Sequence, residues 1–483
     1  MLFNSLQYAL FLPLLTAVYF WAPRSWRLVI LLVGSYVFYA AWNPAYLLLI
    51  IAMTAANYVF GLLLGRTSGR PAGTRWLILA VSMNLAVLAY YKYTAFLLAS
   101  VEGLLRSAEF QIVFPQPSII LPLAISFFTF EFIHYVVDVW AGHPPERGFL
   151  KFAVFAAFFP TQIAGPIKRY EAFIPQLDLP SRFEWARAGE GLQLITWGLF
   201  KKIVLADRLG AMVSLGFPDT GHAALNPVDA WVTVLAFAMQ IYLDFSGYTD
   251  IGRGSAVILG FSVPENFRRP YLASSISEFW RRWHISLSTW LRDYLFVPLG
   301  GLRGHPARAL LVTMALAGLW HGAGWHFVVW GLFNGVLLTG HWMFRSWRAR
   351  HGGACGRAEG FRLVPGWLLT FSLVSLGYTF FRASSMGGAL RMIADMFGSS
   401  LRAPAVLHPD QQVLTAGCVA GILLVELFLE LRDRGVTARF QLFPRFRTTF
   451  ASSTLRVAGY VMLWNLIVLF PHGKRAAFIY FQF

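Results

Sequence analysis

One histidine of this sequence lies among glycines and tryptophans within an apolar stretch. The segment reads GLWHGAGWHF, from Gly318 to Phe327, and its first histidine is His321. An apolar environment favours the neutral imidazole, whose lone pair can accept a proton from a reacting group. Glycines beside the ring would leave room for a ligand to approach the backbone. This pattern is typical of a general base.

A structural interpretation of His321 competes with the catalytic one, because a lone buried histidine often bonds a backbone carbonyl. The surrounding glycines and the two neighbouring tryptophans, Trp320 and Trp325, favour catalysis. The cost of placing an ionisable group at membrane depth also favours it. We therefore predict that His321 is catalytic, supported by Trp320 and Trp325.

A second polar cluster, EFWRRWHIS, is preceded closely by the segment NFRRPY. Guanidinium groups fit phosphate oxygens, and aromatic faces can stack on a purine. The alternative is an interfacial helix whose arginines contact lipid phosphates. The predicted donor-binding residues are Asn266, Arg268, Arg269, Arg281, Arg282 and Trp283.

The histidine of that cluster, His284, should resist protonation because arginines surround it in the sequence. A neutral imidazole can accept a proton or donate a hydrogen bond. His284 is therefore the second predicted catalytic residue.

A third cluster, YLDFSGYTD, follows an apolar span. Asp244 and Tyr248 are one helical turn apart, and so are Ser246 and Asp250. One interpretation is a helix end at which Ser246 and Asp250 meet solvent. The other is that Asp244 orients a buried histidine or arginine. Asp244, Ser246 and Tyr248 are predicted supporting residues.

Other chemistries find little support in the sequence. The two cysteines, Cys355 and Cys418, cannot form a disulfide framework or a cysteine-based metal centre. Phosphate-loop, HExxH and GxSxG motifs are absent. We expect no metal site and no permanently bound cofactor.

The composition predicts an all-α, polytopic integral membrane protein. Apolar residues make up 57% of the 483 positions and charged residues 13%, whereas soluble domains carry about 25% charged residues. Apolar stretches long enough to cross a bilayer predict about eleven spans. The net charge of +17 comes largely from short basic loops, which favours contact with membrane lipid over nucleic acid.

The chain divides into three zones of one membrane domain, residues 1–98, 120–342 and 345–483. Plain apolar spans form the outer zones. In the middle zone, Pro160 and Pro166 predict a re-entrant segment. Phe183 to Lys202 and Tyr271 to Pro298 predict interfacial helices.

These motifs together resemble the membrane-bound O-acyltransferase family. The likeness is to the branch that contains the alginate O-acetyltransferase membrane subunit and the D-alanyl transfer protein of teichoic acid modification. It includes SYVFYAAWNP, FFPTQIAGPIKR, YLDFSGYTDIG, GLWHGAGWHFVVWG and the specific run from Glu265 to Gly301. The resemblance implies helices that ring a thin centre, with funnels from both faces meeting near His321 and His284 as the second marker position.

The resemblance further implies that acetyl-CoA is the cytoplasmic acyl donor. The acetyl group would pass outward to an exported polysaccharide such as alginate, directly or through an extracytoplasmic partner protein. The expected location is the bacterial inner membrane. The alternative function is a transporter or flippase for a polysaccharide precursor, which would move its cargo without chemistry.

Overall fold

The fold is described from a computed structural model of the chain, in which helices and turns are the only regular elements among the described residues. Those residues are 1–67, 69–110, 112–115, 117–163, 165–179, 182–217, 224–351, 363–433 and 450–469. The all-α prediction is confirmed. The chain forms two compact units, unit 1 (Met1–Ile195 and Tyr248–Pro264) and unit 2 (Thr196–Gly247 and Glu265–Phe483). Cys355 lies outside the described residues.

Unit 1 contains the N-terminal helices, and α10 continues from it into unit 2. The helices are α1 (Leu6–Trp21), α2 (Arg27–Ala40), α3 (Ala45–Thr67), α4 (Pro71–Leu88), α5 (Thr94–Ser107), α6 (Ile125–Trp140), α7 (Phe149–Ala157), α8 (Phe159–Gln162), α9 (Tyr170–Phe173) and α10 (Trp185–Leu199). The break between α7 and α8 interrupts the segment that contains Pro160, where the sequence predicted an interruption.

Unit 2 contains the remaining helices, and α12 runs through both units. The helices are α11 (Asp207–Gly216), α12 (Pro227–Ile258), α13 (Ile276–Arg282), α14 (Ile285–Leu291), α15 (Pro306–His321), α16 (Trp325–Arg350), α17 (Leu363–Arg382), α18 (Met386–Met396), α19 (Pro409–Asp433) and α20 (Phe450–Leu469). A π-helical segment, Phe200–Ala206, joins α10 to α11.

Six helical segments in the described part of the chain are long and apolar enough to cross a membrane. They are Ala45–Thr67, Pro71–Ser107, Pro227–Ile258, Trp325–Arg350, Val364–Arg382 and Pro409–Asp433. The multi-span architecture is confirmed, whereas the count of about eleven is not. Several expected spans are short helices, among them α1 with 16 residues and α2 with 14, and a perpendicular span needs about 20.

The apolar stretch from Leu310 to Leu338 is long enough to cross a bilayer as a single span, but it forms the helical hairpin of α15 and α16. Gly322 and Gly324 have extended backbones and end the first helix before the second begins. The two helices then pack backbone to backbone. A Cβ on Gly318 would overlap the carbonyl oxygen of Phe327, and one on Gly331 would overlap that of Met314. Small residues permit this close approach of helices.

The predicted interfacial helix between Tyr271 and Pro298 is also interrupted. Ser275 caps α13 by accepting a hydrogen bond from the Glu278 amide. The helix ends at Arg282, and His284 adopts a left-handed conformation, with φ +42°, before α14 begins. Residues other than glycine rarely adopt this conformation, which recurs at functional sites.

Candidate active site

The last residue of α15, His321, is held among aromatic rings. Its ring lies 4.9 Å from that of Trp320, 5.1 Å from that of Trp330 and 5.1 Å from that of Phe381. Only 4% of the residue is exposed. The hairpin turn therefore places an imidazole in a largely apolar, water-poor environment.

The glycines around His321 do not leave the open space that the sequence suggested. The position of a Cβ at Gly318 is taken by the Phe327 carbonyl, and that at Gly322 by the Phe327 ring. At Gly324, a Cβ would lie 2.7 Å from Nε2 of His326. These glycines are required for packing of the hairpin, so they fix the position of His321.

The second predicted catalytic histidine, His284, is fully buried in the loop between α13 and α14. Its ring packs edge-on against Phe245, with centroids 4.6 Å apart. Neither ring nitrogen has a hydrogen-bond partner among the described residues. Burial lowers the pKa of this imidazole, which keeps it neutral. The neutral state was predicted, but its cause is burial rather than nearby arginines.

Trp320 connects the two histidines. Its ring centroid lies 6.2 Å from that of His284 and 4.9 Å from that of His321. Two histidines 37 positions apart in the sequence thus lie near one indole, one from the loop before α14 and the other from the end of α15.

Asn266 organises the backbone beside His284. Its carbonyl oxygen accepts the Ile285 amide at 2.9 Å, and its Oδ1 accepts the Ser286 amide at 3.2 Å and the Ser286 hydroxyl at 2.6 Å. A second backbone bond runs from the Arg268 amide to the Arg282 carbonyl. Asn266, predicted as a donor-binding residue, thereby caps α14 and holds the histidine loop.

Asp244 forms a buried charge network with a lysine. Nζ of Lys202 lies 2.9 Å from Oδ1 of Asp244 and 2.8 Å from Oδ1 of Asp207. The sequence predicted a histidine or an arginine beside Asp244, and the structure places a lysine there. Nζ of Lys201 donates to the Ser246 hydroxyl at 3.1 Å.

The alternative interpretation of the third cluster, a solvent-exposed helix end, is wrong for Ser246. Helix α12 continues to Ile258, and Ser246 is 3% exposed. A buried hydroxyl and carboxylate in mid-helix indicate a role in holding α12 in place beside the π-helical segment.

Three predicted supporting or binding residues have surroundings that differ from their predicted roles. Tyr248 belongs to unit 1, where its hydroxyl bonds Asn4 at 3.4 Å. Trp325 is 60% exposed. Trp283 is buried with its ring stacked on Phe279 at 5.5 Å, and aromatic neighbours on other sides make it a core residue rather than an open stacking platform.

The four predicted donor-binding arginines have different surroundings. Arg269 pairs with Glu430 at 2.7 Å and with Asp433, and Arg282 pairs with Glu278 at 2.7 Å. Although burial opposes it, hydrogen bonds from Ser274 and the charge of Arg282 hold the pKa of Glu278 below its ordinary value. Arg282 also lies 3.3 Å from Glu430, so it links α13 to α19, and Arg269 links the segment before α13 to α19.

The other two arginines are exposed. Arg268 pairs with Glu265 at 3.2 Å and is 67% exposed. Arg281 is exposed at the end of α13. An exposed guanidinium suits contact with phosphate.

Sequence reasoning missed the partners that hold the two histidines. Trp330, Phe381 and Phe245 surround the imidazoles, and Lys202 holds Asp244. Trp330 lies nine positions after His321, but the hairpin turn between them means that helical spacing does not indicate this contact. The contacts of Phe381 and Lys202 depend on tertiary packing alone.

The long apolar helices indicate a multi-span membrane protein, and the two buried histidines near Trp320 are typical of an enzyme. The family model of the membrane-bound O-acyltransferases matches residues 142–352. The probable alginate O-acetylase of Pseudomonas aeruginosa is 41% identical over 401 residues, which are 80% of this chain and 73% of the relative. The chain belongs to the membrane-bound O-acyltransferase family and is an acyltransferase.

Two further relatives show the breadth of the similarity. The peptidoglycan O-acetyltransferase of Helicobacter pylori is 34% identical over 408 residues, 78% of this chain and 74% of the relative. The teichoic acid D-alanyltransferase of Bacillus subtilis is 27% identical over 254 residues, 49% of this chain and 63% of the relative. The named relatives are transferases, so they give no support to the transporter alternative.

Proposed function

We propose that this protein takes an acetyl group from acetyl-CoA on the cytoplasmic side and passes it across the bacterial inner membrane for O-acetylation of an exported polysaccharide such as alginate. The names of the relatives support an acetyl group and a cell-surface polymer. The acceptor is either the polymer itself or a hydroxyl of an extracytoplasmic partner protein that completes the transfer.

The observation that carries this proposal is the placement of His321 and His284 on one indole ring. In the proposed reaction, His321 accepts the proton of the acceptor hydroxyl as its oxygen attacks the thioester carbonyl carbon. The carbon–sulfur bond then breaks, and the thiolate leaves with the proton that the imidazole held. General-base catalysis of this kind contributes about 100- to 10,000-fold.

His284 has a different part in this reaction. It is neutral, and it can donate one hydrogen bond from its protonated ring nitrogen. In the proposed site that bond orients the donor or stabilises charge on the carbonyl oxygen. Asp244 acts indirectly, because its ion pair with Lys202 holds α12, which carries Phe245 against the His284 ring.

The test is thiol release from acetyl-CoA by detergent-purified protein without an ion gradient. His321→Ala should lower the rate at least 100-fold while thermal unfolding stays similar. His326→Ala is the matched control, since this residue lies on the same hairpin and bonds the Phe380 carbonyl at 2.9 Å. A folded His321→Ala protein with full activity refutes the proposal, and cargo movement without thiol release favours the transporter.

A further inference from the structure

The side-chain amide of Asn266 is fixed in orientation. Asn266 is fully buried, and its Oδ1 accepts two hydrogen bonds from Ser286. Those bonds determine which end of the carboxamide is oxygen, so Nδ2 must point to the opposite side. In the part of the chain that the structure describes, Nδ2 has no hydrogen-bond acceptor.

A buried donor without an acceptor is costly. Leaving such a group unpaired costs about 1–3 kcal/mol, and native structures contain few of them. The Ser286 bonds prevent the carboxamide from turning to satisfy Nδ2. The arrangement is therefore consistent with an acceptor that arrives from outside the chain.

The imidazole of His284, beside this amide, is also buried without a described hydrogen-bond partner. The Ile285 and Ser286 amides bond to Asn266, which places the residue directly beside the His284 loop. His284 is also fully buried, and both its ring nitrogens are without described partners. The histidine backbone has φ +42°, a conformation that the two bonds to Asn266 help to maintain. Two buried polar groups without described partners thus lie beside each other, His284 on the loop and Asn266 on the segment that bonds to it.

The ligand chemistry follows from the groups themselves. The amide Nδ2 offers hydrogen atoms only, and a neutral imidazole offers one. A carbonyl oxygen accepts hydrogen bonds and has two lone pairs for this purpose. A thioester carbonyl fits this pair of donors better than an acceptor hydroxyl, which itself needs a base.

We propose that Asn266 is a catalytic residue that donates from Nδ2 to the carbonyl oxygen of the acyl donor, with the N–H of His284 as the second donor. This inference rests on the proposed function. As the acceptor oxygen bonds to the carbonyl carbon, the carbonyl π electrons move to its oxygen, and both donors stabilise that charge. When the carbon–sulfur bond breaks, the electrons return and the thiolate takes the proton held by His321.

Removal of one such donor costs about 100- to 1,000-fold in turnover in enzymes where it has been measured. Asn266→Asp keeps an oxygen for both Ser286 bonds but replaces the donor by an acceptor. Asn266→Ala removes the whole amide. Both variants should lower kcat for acetyl-CoA at least 100-fold. Their affinity for S-ethyl-coenzyme A, a thioether without the carbonyl oxygen, should stay within about twofold of the wild type.

The matched control is Asn334→Ala. Asn334 is a buried asparagine of α16 whose Nδ2 already donates to the Trp330 carbonyl at 2.9 Å. This variant should lose stability but keep kcat within about twofold. Full turnover by Asn266→Asp would show that only the capping role matters and would overturn the inference, as would an unchanged kcat in Asn266→Ala.

A third variant decides the matter if neither Asn266 variant folds. Ser286→Ala removes one of the two bonds that orient the amide but keeps Nδ2. It should lower kcat without changing the affinity for the thioether, and unchanged turnover overturns the inference.

Wild-type protein that releases no thiol at all would instead refute the proposed function. Wild-type activity that is lost in His321→Ala but retained in the Asn266 variants would refute this inference alone.

Discussion

The ion pairs of Lys202 with Asp207 and Asp244 allow a test of whether they hold α12 in place beside the site. Lys202 is 1% exposed and lies within 2.9 Å of carboxylate oxygens from both Asp207 and Asp244. Lys202→Met keeps the length of the side chain and removes its charge. Two carboxylates, one of them almost fully buried, then lose their cation.

The expected cost is set by the burial of the remaining charges. Breaking a buried ion pair by removing one partner costs about 3–5 kcal/mol, because an uncompensated charge stays in the interior. Lys201→Met is the matched control on the same π-helical segment, where Nζ bonds the Ser246 hydroxyl. Loss of a hydrogen bond that involves a charged group costs about 1.5–3 kcal/mol, so the control should be clearly milder.

The assay is unfolding of the detergent-solubilised protein, followed by tryptophan fluorescence, together with thiol release. The triple variant Lys202→Met, Asp207→Asn, Asp244→Asn has no unpaired charge and should recover most of the lost stability. If Lys202→Met is no more destabilising than Lys201→Met, or if the triple variant recovers nothing, the network does not hold α12 as argued here.

Two other outcomes are expected. Gly318→Ala should destabilise the protein strongly in a thermal unfolding assay, because its Cβ would overlap the Phe327 carbonyl. The control is Gly340→Ala on α16, whose Cβ meets open space and which should be neutral or stabilising. Equal effects of the two variants on thermal stability would contradict the packing argument. Arg281→Gln should raise KM for acetyl-CoA about tenfold or more through loss of a charge-assisted phosphate contact, with kcat unchanged. Arg268→Gln should change KM less, because Arg268 is already paired with Glu265. Equal KM values for the two variants would refute the assignment of Arg281 to phosphate binding.

Much of the fold was predictable because a bilayer imposes strong constraints on sequence. Long apolar runs such as Ala45–Thr67 and Pro409–Asp433 leave little alternative to a spanning helix. Short elements were not predictable in the same way. The stretch from Leu310 to Leu338 is largely apolar, and only the packing of Gly318 against Phe327 shows that it folds back on itself.

The site was predictable in its residue types and not in their contacts. His321 stands out because a polar ring in an apolar segment is costly, and His284 because it lies among arginines and aromatic residues. Charge alone could not separate binding arginines from structural ones. Arg269 and Arg282 carry the same sequence signal as Arg281, but acidic residues more than 140 positions away pair with the first two. Such long-range pairing has no local pattern.

The functional groups of unit 2 lie where helices are interrupted, and there is a physical reason for this. Inside a regular helix the backbone amides are bonded to each other, and the side chains point outward at fixed intervals. At a break, the backbone can be redirected, as the left-handed conformation of His284 and the hairpin turn after His321 demonstrate. Asn266 supplies the bonds that the interrupted backbone needs on one side and keeps Nδ2 on the other. An uninterrupted pair of apolar helices would need fewer buried polar groups, but it could not bring two imidazoles to the same indole and an amide to the backbone beside one of them.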